Sequence, residues 1–116
     1  MPEISVVTPS YNQADFIEET IRSVLLQGYP ALRYYIIDGG SKDHSVSLIR
    51  KYEKWIHYWV SEKDHGQADA IQKGLNLVST PVSAYLNSDD IYVEGTLHRV
   101  GSRFAKSHAD VVYGNL

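Results

Sequence analysis

Short, mostly apolar runs alternate with segments of helical spacing along the whole chain, and no other property constrains the fold as tightly. The runs are Ile4-Ser5-Val6-Val7-Thr8, Tyr34-Tyr35-Ile36-Ile37, residues 56–60, residues 82–86 and Val111-Val112-Tyr113. After the first run, Ile17, Ile21, Val24 and Leu25 recur at the period of a helix with one apolar face. Val46 with Ile49, then Ala68, Ile71, Leu75 and Val78, then Leu97, Val100 and Phe104 repeat that pattern after the next runs. Strict strand–helix alternation predicts an α/β domain, an open and mainly parallel sheet with helices on both faces. Local signals agree. Pro9 stops the first strand, and Asp15 with Glu18 reads as a capping box for a helix over 15–26 that Gly28 and Pro30 close. Asp43 caps a second helix that runs to Tyr52. No internal repeat or linker interrupts the series, and 116 residues hold a single domain, 1–116.

Composition excludes several functions. A net charge of -3 without a basic run or stripe leaves no electrostatic case for nucleic acid. The absence of cysteine rules out disulfides and thiolate metal sites and fits the cytoplasm. No apolar stretch approaches the roughly 20 residues of a membrane span. The first residues enter a strand without a basic and apolar leader. The expected location is therefore cytoplasmic, with a membrane-peripheral placement left open. Nine tyrosines and two tryptophans against two phenylalanines point to rings at the boundary of apolar and wet surface. Trp55, Tyr58 and Trp59 around the third strand read as packing residues.

In open parallel sheets, ligands bind beyond the carboxyl ends of the strands. Those ends carry Thr8-Pro9-Ser10-Tyr11, Asp38, Asp64 and Asp89-Asp90. Four segments thus deliver polar groups to one edge, which weighs more than any single motif. Adjacent carboxylates such as Asp89 and Asp90 repel unless they are solvated or share a cation. A hard divalent metal with phosphate on its far side satisfies them, and so does a solvated turn or helix cap. Asp38 precedes Gly39-Gly40; its carboxylate accepts from an imide or ribose donor, or else closes an Asx-turn. The hydroxyls of Thr8 and Ser10 and the Tyr11 ring line a base pocket, or form ordinary loop chemistry before a helix. Asp64 and Gln67 flank Gly66 where the third helix begins. The acidic Asp64 and Asp69 there oppose an anion and favour sugar or ribose hydroxyls, unless the segment is simply a polar cap.

Other chemistries find no support. There is no G-x-G-x-x-G fingerprint and no Walker lysine motif, and Ser10 lacks a nucleophile elbow. The five histidines show no metal-ligand spacing.

The motif series resembles the nucleotide-binding half of inverting family 2 glycosyltransferases of the GT-A fold, which is Rossmann-like. The matching text is Ile4-Ser5-Val6-Val7-Thr8-Pro9-Ser10-Tyr11-Asn12, Ile36-Ile37-Asp38-Gly39-Gly40-Ser41, Ser61-Glu62-Lys63-Asp64-His65-Gly66-Gln67-Ala68-Asp69-Ala70 and Tyr85-Leu86-Asn87-Ser88-Asp89-Asp90, with Tyr113-Gly114-Asn115 closing the half. The resemblance covers nearly the whole chain and implies a glycosyltransferase. It implies that Thr8, Pro9 and Tyr11 border the nucleobase, that Asp38 accepts from it, and that Asp64 approaches base or ribose. Gln67 takes a polar role in the donor site. Asp89 and Asp90 correspond to the family's D-x-D-type motif, touching ribose and holding Mn2+ or Mg2+ on the diphosphate of a nucleoside diphosphate sugar, a UDP-sugar in particular. Asn87 and Ile71 stand where many members have an acidic residue and an arginine. The family's acidic catalytic base belongs to the acceptor half and is expected beyond Leu116. On this reading the chain stops short of that half, acceptor identity (saccharide, lipid or protein) lies outside it, and its last sheet edge is exposed and invites self-association. Cell-envelope polysaccharide synthesis is the expected setting.

Two other classes compete with this reading. A non-enzymatic α/β binding or assembly domain would use the same acidic loops as caps and turns. A receiver-like phospho-acceptor domain requires an early acidic pair where this chain has Thr8-Pro9.

Overall fold

The computed structural model describes residues 3–80, 82–89, 91–92 and 95–99. Strand β1 (Ile4–Ser10) leads into helix α1 (Ile17–Leu25), β2 (Leu32–Asp38), α2 (Ser45–Lys51), a 3₁₀ turn at Glu53–Trp55, β3 (Tyr58–Ser61), α3 (Gln67–Leu77) and β4 (Val82–Tyr85). The four strands form one parallel sheet in the order β3-β2-β1-β4. β1 is therefore central, and all seven of its residues are buried, as a strand covered on both faces must be.

The pleat divides the core in two. Ile4 and Val6 with Tyr34 and Ile36 point to one face, where Ile17, Ile21 and Val24 of α1 and Ile49 of α2 cover them. Val7, Tyr35 and Ile37 point to the other, under Ala70 of α3. The expected open parallel sheet with helices on both faces is present. Among the described residues no helix is long and apolar enough to cross a membrane.

Several boundaries differ from the sequence expectation, each for a local reason. Helix α1 starts at Ile17 rather than at residue 15, because a turn enters it: the Phe16 and Ile17 amides both donate to Gln13 O. No Asp15–Glu18 capping box forms. Glu18 instead accepts from Lys51 Nζ at 2.7 Å and Tyr52 Oη at 2.5 Å, tying α1 to α2. Asp43 caps α2 from one residue further out, its Oδ1 taking the Ser45 amide at 2.9 Å while His44 occupies the cap position. The third strand begins at Tyr58 rather than at Ile56: the 3₁₀ turn ends at Trp55, and Ile56 is extended and buried but outside the ladder.

The apolar face of α3 is also displaced. Ala70 and Gly74 are the buried residues, Ala68 is exposed, and Ile71, Leu75 and Val78 are half-buried. The helix approaches β1 so closely that a Cβ on Gly74 would lie 2.3 Å from Val7 Cγ1. Trp55 and Tyr58 are exposed and Trp59 is half-buried, so the first two are surface rings rather than packing residues. Residues 96–99 are helical, as the Leu97 pattern predicts; the rest of that helix and the expected strand at 111–113 lie outside the described residues.

Candidate functional site

A cleft of about 470 Å³ opens beyond the carboxyl ends of the strands. Each wall traces to a different connection. The β1–α1 loop contributes Pro9, Ser10, Tyr11 and Gln13, and the β2 end contributes Gly39. The β3–α3 connection adds Lys63, Asp64, Gly66, Gln67 and Ala70, and Asn87, Ser88 and Asp89 follow β4.

Of the residues singled out from sequence, Pro9, Tyr11, Asp64, Gln67 and Asp89 meet on this cleft. Thr8 and Asp38 are close by in the chain but do not line it. The pleat turns Thr8 toward the α1 face, where it is fully buried and its Oγ1 shares a 2.8 Å hydrogen bond with Tyr34 Oη. Burial pushes the Tyr34 phenol well above its usual range, against the Thr8 hydrogen bond, so this pair stays neutral.

Asp38 is fully buried, and its carboxylate is spent on its surroundings. Oδ2 accepts from the Gly40 and Ser41 amides at 3.1 and 2.8 Å and from Ser61 Oγ at 2.8 Å, while Oδ1 accepts from Ser41 Oγ at 2.6 Å. The structure thus displays the Asx-turn alternative for Asp38. Its carboxylate fastens the β2–α2 loop to the end of β3.

Asp64 sits across the cleft against Gly39. A Cβ there would come within 2.8 Å of Asp64 Oδ2, so the bare glycine lets the carboxylate stand where it does. Asp64 Oδ1 accepts from the Gly66 amide at 3.0 Å, and Gly66 adopts φ 112°, which L side chains avoid. The neighbouring Asp69 is turned away: Oδ2 takes the His65 amide at 3.0 Å and lies 3.8 Å from Lys73 Nζ. At the start of α3, Gln67 Nε2 donates to Asn87 Oδ1, bridging the cleft from α3 to the β4 loop.

The segment bearing Asp89 is pinned to α1 at both ends. Ser88 O accepts from Thr20 Oγ1 at 2.9 Å, and the Tyr92 amide donates to Ser23 Oγ at 3.0 Å. Asp89 lies between these anchors, exposed, with no hydrogen bond or ion pair among the described residues. Asp90, the other carboxylate expected at a metal, lies outside the described residues. Among the described residues no three His, Asp or Glu side chains cluster as a ready-made metal cage. A free, solvated carboxylate on a cleft wall still suits Mg2+ or Mn2+, which draw their remaining ligands from water and substrate phosphate.

Gln13 and Lys63 line the cleft without having been singled out from sequence. Gln13 lies two residues past Tyr11 on the same loop, and Lys63 directly precedes Asp64. Adjacency to a flagged residue was their only signal.

An open parallel α/β sheet with polar groups gathered beyond its strand ends has the architecture in which ligands bind at that edge. The comparisons narrow this. The family model described as "Glycosyl transferase family 2" matches residues 5–116, and the chain belongs to that family. The putative teichuronic acid biosynthesis glycosyltransferase TuaG of Bacillus subtilis is 38% identical over 101 residues, covering 84% of this chain and 40% of that protein. The uncharacterized glycosyltransferase Rv1514c of Mycobacterium tuberculosis is 37% identical over 90 residues, covering 77% and 34%. This chain therefore spans less than half the length of either relative. Among solved structures, S. aureus TarS in complex with UDP-GlcNAc superposes with a TM-score of 0.84 at 21% identity, over 93% of this chain and 32% of that one. The mannosyltransferase PcManGT from Pyrobaculum calidifontis, in complex with GDP-Man and Mn2+, gives 0.81 at 25% identity over 90% and 33%.

Proposed function

We propose that this chain is the donor-binding part of a glycosyltransferase that holds a nucleoside diphosphate sugar, UDP-linked, with a divalent cation. The observation that carries the reading is the pairing, on one cleft, of the half-exposed Tyr11 ring with the free carboxylate of Asp89. An aromatic face suits a nucleobase, and an unpaired carboxylate suits a metal on the diphosphate. In this reading Pro9 and Tyr11 border the base, Asp64 and Gln67 meet ribose or sugar hydroxyls, and Asp89 with Asp90 holds Mn2+ or Mg2+. Thr8 and Asp38 support the base side from beneath. The cation supplies charge neutralisation for a departing diphosphate.

We assign no carboxylate of this chain to deprotonation of the acceptor, which inverting transfer requires. The base is assigned to an acceptor-binding part other than these residues. UDP-GlcNAc in TarS and GDP-Man with Mn2+ in PcManGT support the ligand class, and the teichuronic acid relative supports a cell-envelope polysaccharide as the product setting. We place the work of this domain on the cytoplasmic side, where sugar nucleotides are the donors.

Titration calorimetry with UDP, with and without Mn2+, on the unaltered chain and on Asp90→Ala tests the assignment. The expected result is Mn2+-dependent binding that Asp90→Ala weakens. Equal affinity for both proteins would remove the metal role. A non-enzymatic binding domain draws support from Asp38, whose carboxylate serves a turn. It requires that no nucleotide raise the melting temperature, since a ligand bound to the native state must stabilise it.

A further inference from the structure

We infer that Ser41 and Asn12 are positioning residues for the donor's base, holding Tyr11 on the cleft through a clasp between the β1–α1 and β2–α2 loops; the inference rests on the donor-binding reading above. Tyr11 is 55% exposed, so little packs against its ring and the backbone must place it. That backbone is fixed on both sides. Ahead of Tyr11, Ser10 O accepts the Gly39 amide at 2.8 Å. Behind it, Asn12 turns at φ 51°, in the left-handed region that Asn tolerates better than most residues. The Asn12 amide donates to Ser41 Oγ at 2.8 Å, and Asn12 Oδ1 accepts the Lys42 amide at 2.8 Å. Ser41 Oγ in turn donates to Asp38 Oδ1 at 2.6 Å. One hydroxyl therefore orients Asn12 and is itself oriented by a buried carboxylate.

The next two amides follow suit: Gln13 donates to Ser45 Oγ at 3.0 Å and Ala14 to Asp43 Oδ2 at 3.1 Å. Three successive N–H groups of one loop thus go to side chains of its neighbour rather than to water. The half of the clasp formed by Ser41 and Asn12 adjoins Tyr11, and the half formed by Ser45 and Asp43 adjoins the entry to α1. The first half sets the ring and the second sets the helix. A ring held in place before the ligand arrives spares the cost of ordering it on binding.

The test is a double-mutant cycle in this chain, read by titration calorimetry with UDP and Mn2+. Ser41→Ala is expected to weaken UDP binding about five- to tenfold. Tyr11→Ala weakens it at least as much, and the double variant no further than Tyr11→Ala alone. Asn12→Gly keeps the left-handed backbone and loses only the Oδ1 bond, so it folds and loses affinity as Ser41→Ala does. Asn12→Asp retains an acceptor and binds as the unaltered chain does. Losses that multiply in the double variant, or full affinity in both Ser41→Ala and Asn12→Gly, overturn the inference and leave the donor reading standing. An unaltered chain that binds no nucleoside diphosphate overturns the donor reading, and this inference with it.

Discussion

The two flanks of the cleft use the same residue types in opposite ways. On the β1–β2 flank, Asp38, Ser41, Asp43 and Ser45 direct their oxygens at backbone amides and at one another. On the β4 flank, Asp89 is exposed and makes no such bond among the described residues, and Asn87 Oδ1 accepts from the Gln67 side chain across the gap. A carboxylate surrounded by donors is part of the frame, whereas one left facing solvent is available to a ligand. The contrast teaches that an aspartate at a strand end says nothing by itself about which of the two it is; the donors around it decide.

The strongest attempt to break this contrast is Asp38→Ala. It removes the acceptor of the Gly40 and Ser41 amides and of the Ser61 hydroxyl at a part-buried junction. The expected loss is about 3 kcal/mol of stability, seen in thermal melts as a fall in Tm of roughly 10 °C or more. A variant melting like the unaltered chain would mean that the frame does not depend on Asp38.

Asp89→Ala is the mirror experiment. Removing an exposed, unpaired carboxylate should leave Tm within the equivalent of about 0.5 kcal/mol, while UDP affinity in the presence of Mn2+ falls about ten- to a hundredfold. Loss of stability with unchanged affinity would place Asp89 in the frame after all.

Gly39→Ala probes the contact between the flanks. Its new methyl meets the tip of a flexible side chain, Asp64 Oδ2 at 2.8 Å, so the carboxylate swings aside and the fold persists. The expected effect is a loss of nucleotide affinity of about tenfold or less, with a Tm shift under about 1 kcal/mol equivalent. Unchanged affinity would detach Asp64 from the site.

The smallest effect is a pH dependence confined to the frame. Hydrogen bonds from Lys51 and then Tyr52 hold the Glu18 carboxyl below its ordinary value of 4.5. Partial desolvation pushes Asp43 up, but hydrogen bonds from the Ser45 side chain and amide and from the Ala14 amide outweigh it and leave it below its ordinary value of 3.8. Both carboxylates bind protons more weakly folded than unfolded. Their stabilisation is complete above the ordinary values and is lost as pH falls through the lowered ones. Melts from pH 6 downward should show Tm slipping below about pH 4.5, less steeply in Glu18→Gln. An identical slope in that variant would remove Glu18 from the account.

Much of the fold was legible in the sequence, because strand and helix periods differ sharply and each strand ends on polar residues. What escaped was decided by partners distant in the chain. Ala70 and Gly74 carry almost no hydrophobic signal, yet they face the sheet because their smallness lets α3 approach Val7. The start of β3 was set two residues early because Ile56 is extended and buried, as a strand residue would be, while the ladder to β2 begins only at Tyr58. At the site, the gathering of Tyr11, Asp64, Gln67 and Asp89 followed from their places just beyond the carboxyl ends of the strands. The Asx-turn at Asp38 was one of its two sequence readings, but its tie to Ser61, 23 residues away, was not legible. The orientation of Thr8 was within reach: it shares the period-two face of Ile4 and Val6, which points to α1 and away from the cleft.

Gly74 carries a further consequence. It rests on Val7 as a fulcrum, and α3 extends from it toward the cleft like a lever. Gln67 lies seven residues away along that helix, an arm of about 10 Å at the rise of an α-helix. Lifting the helix at Gly74 by the width of one methyl group would swing Gln67 relative to Asn87 and alter the cleft mouth from a residue outside it.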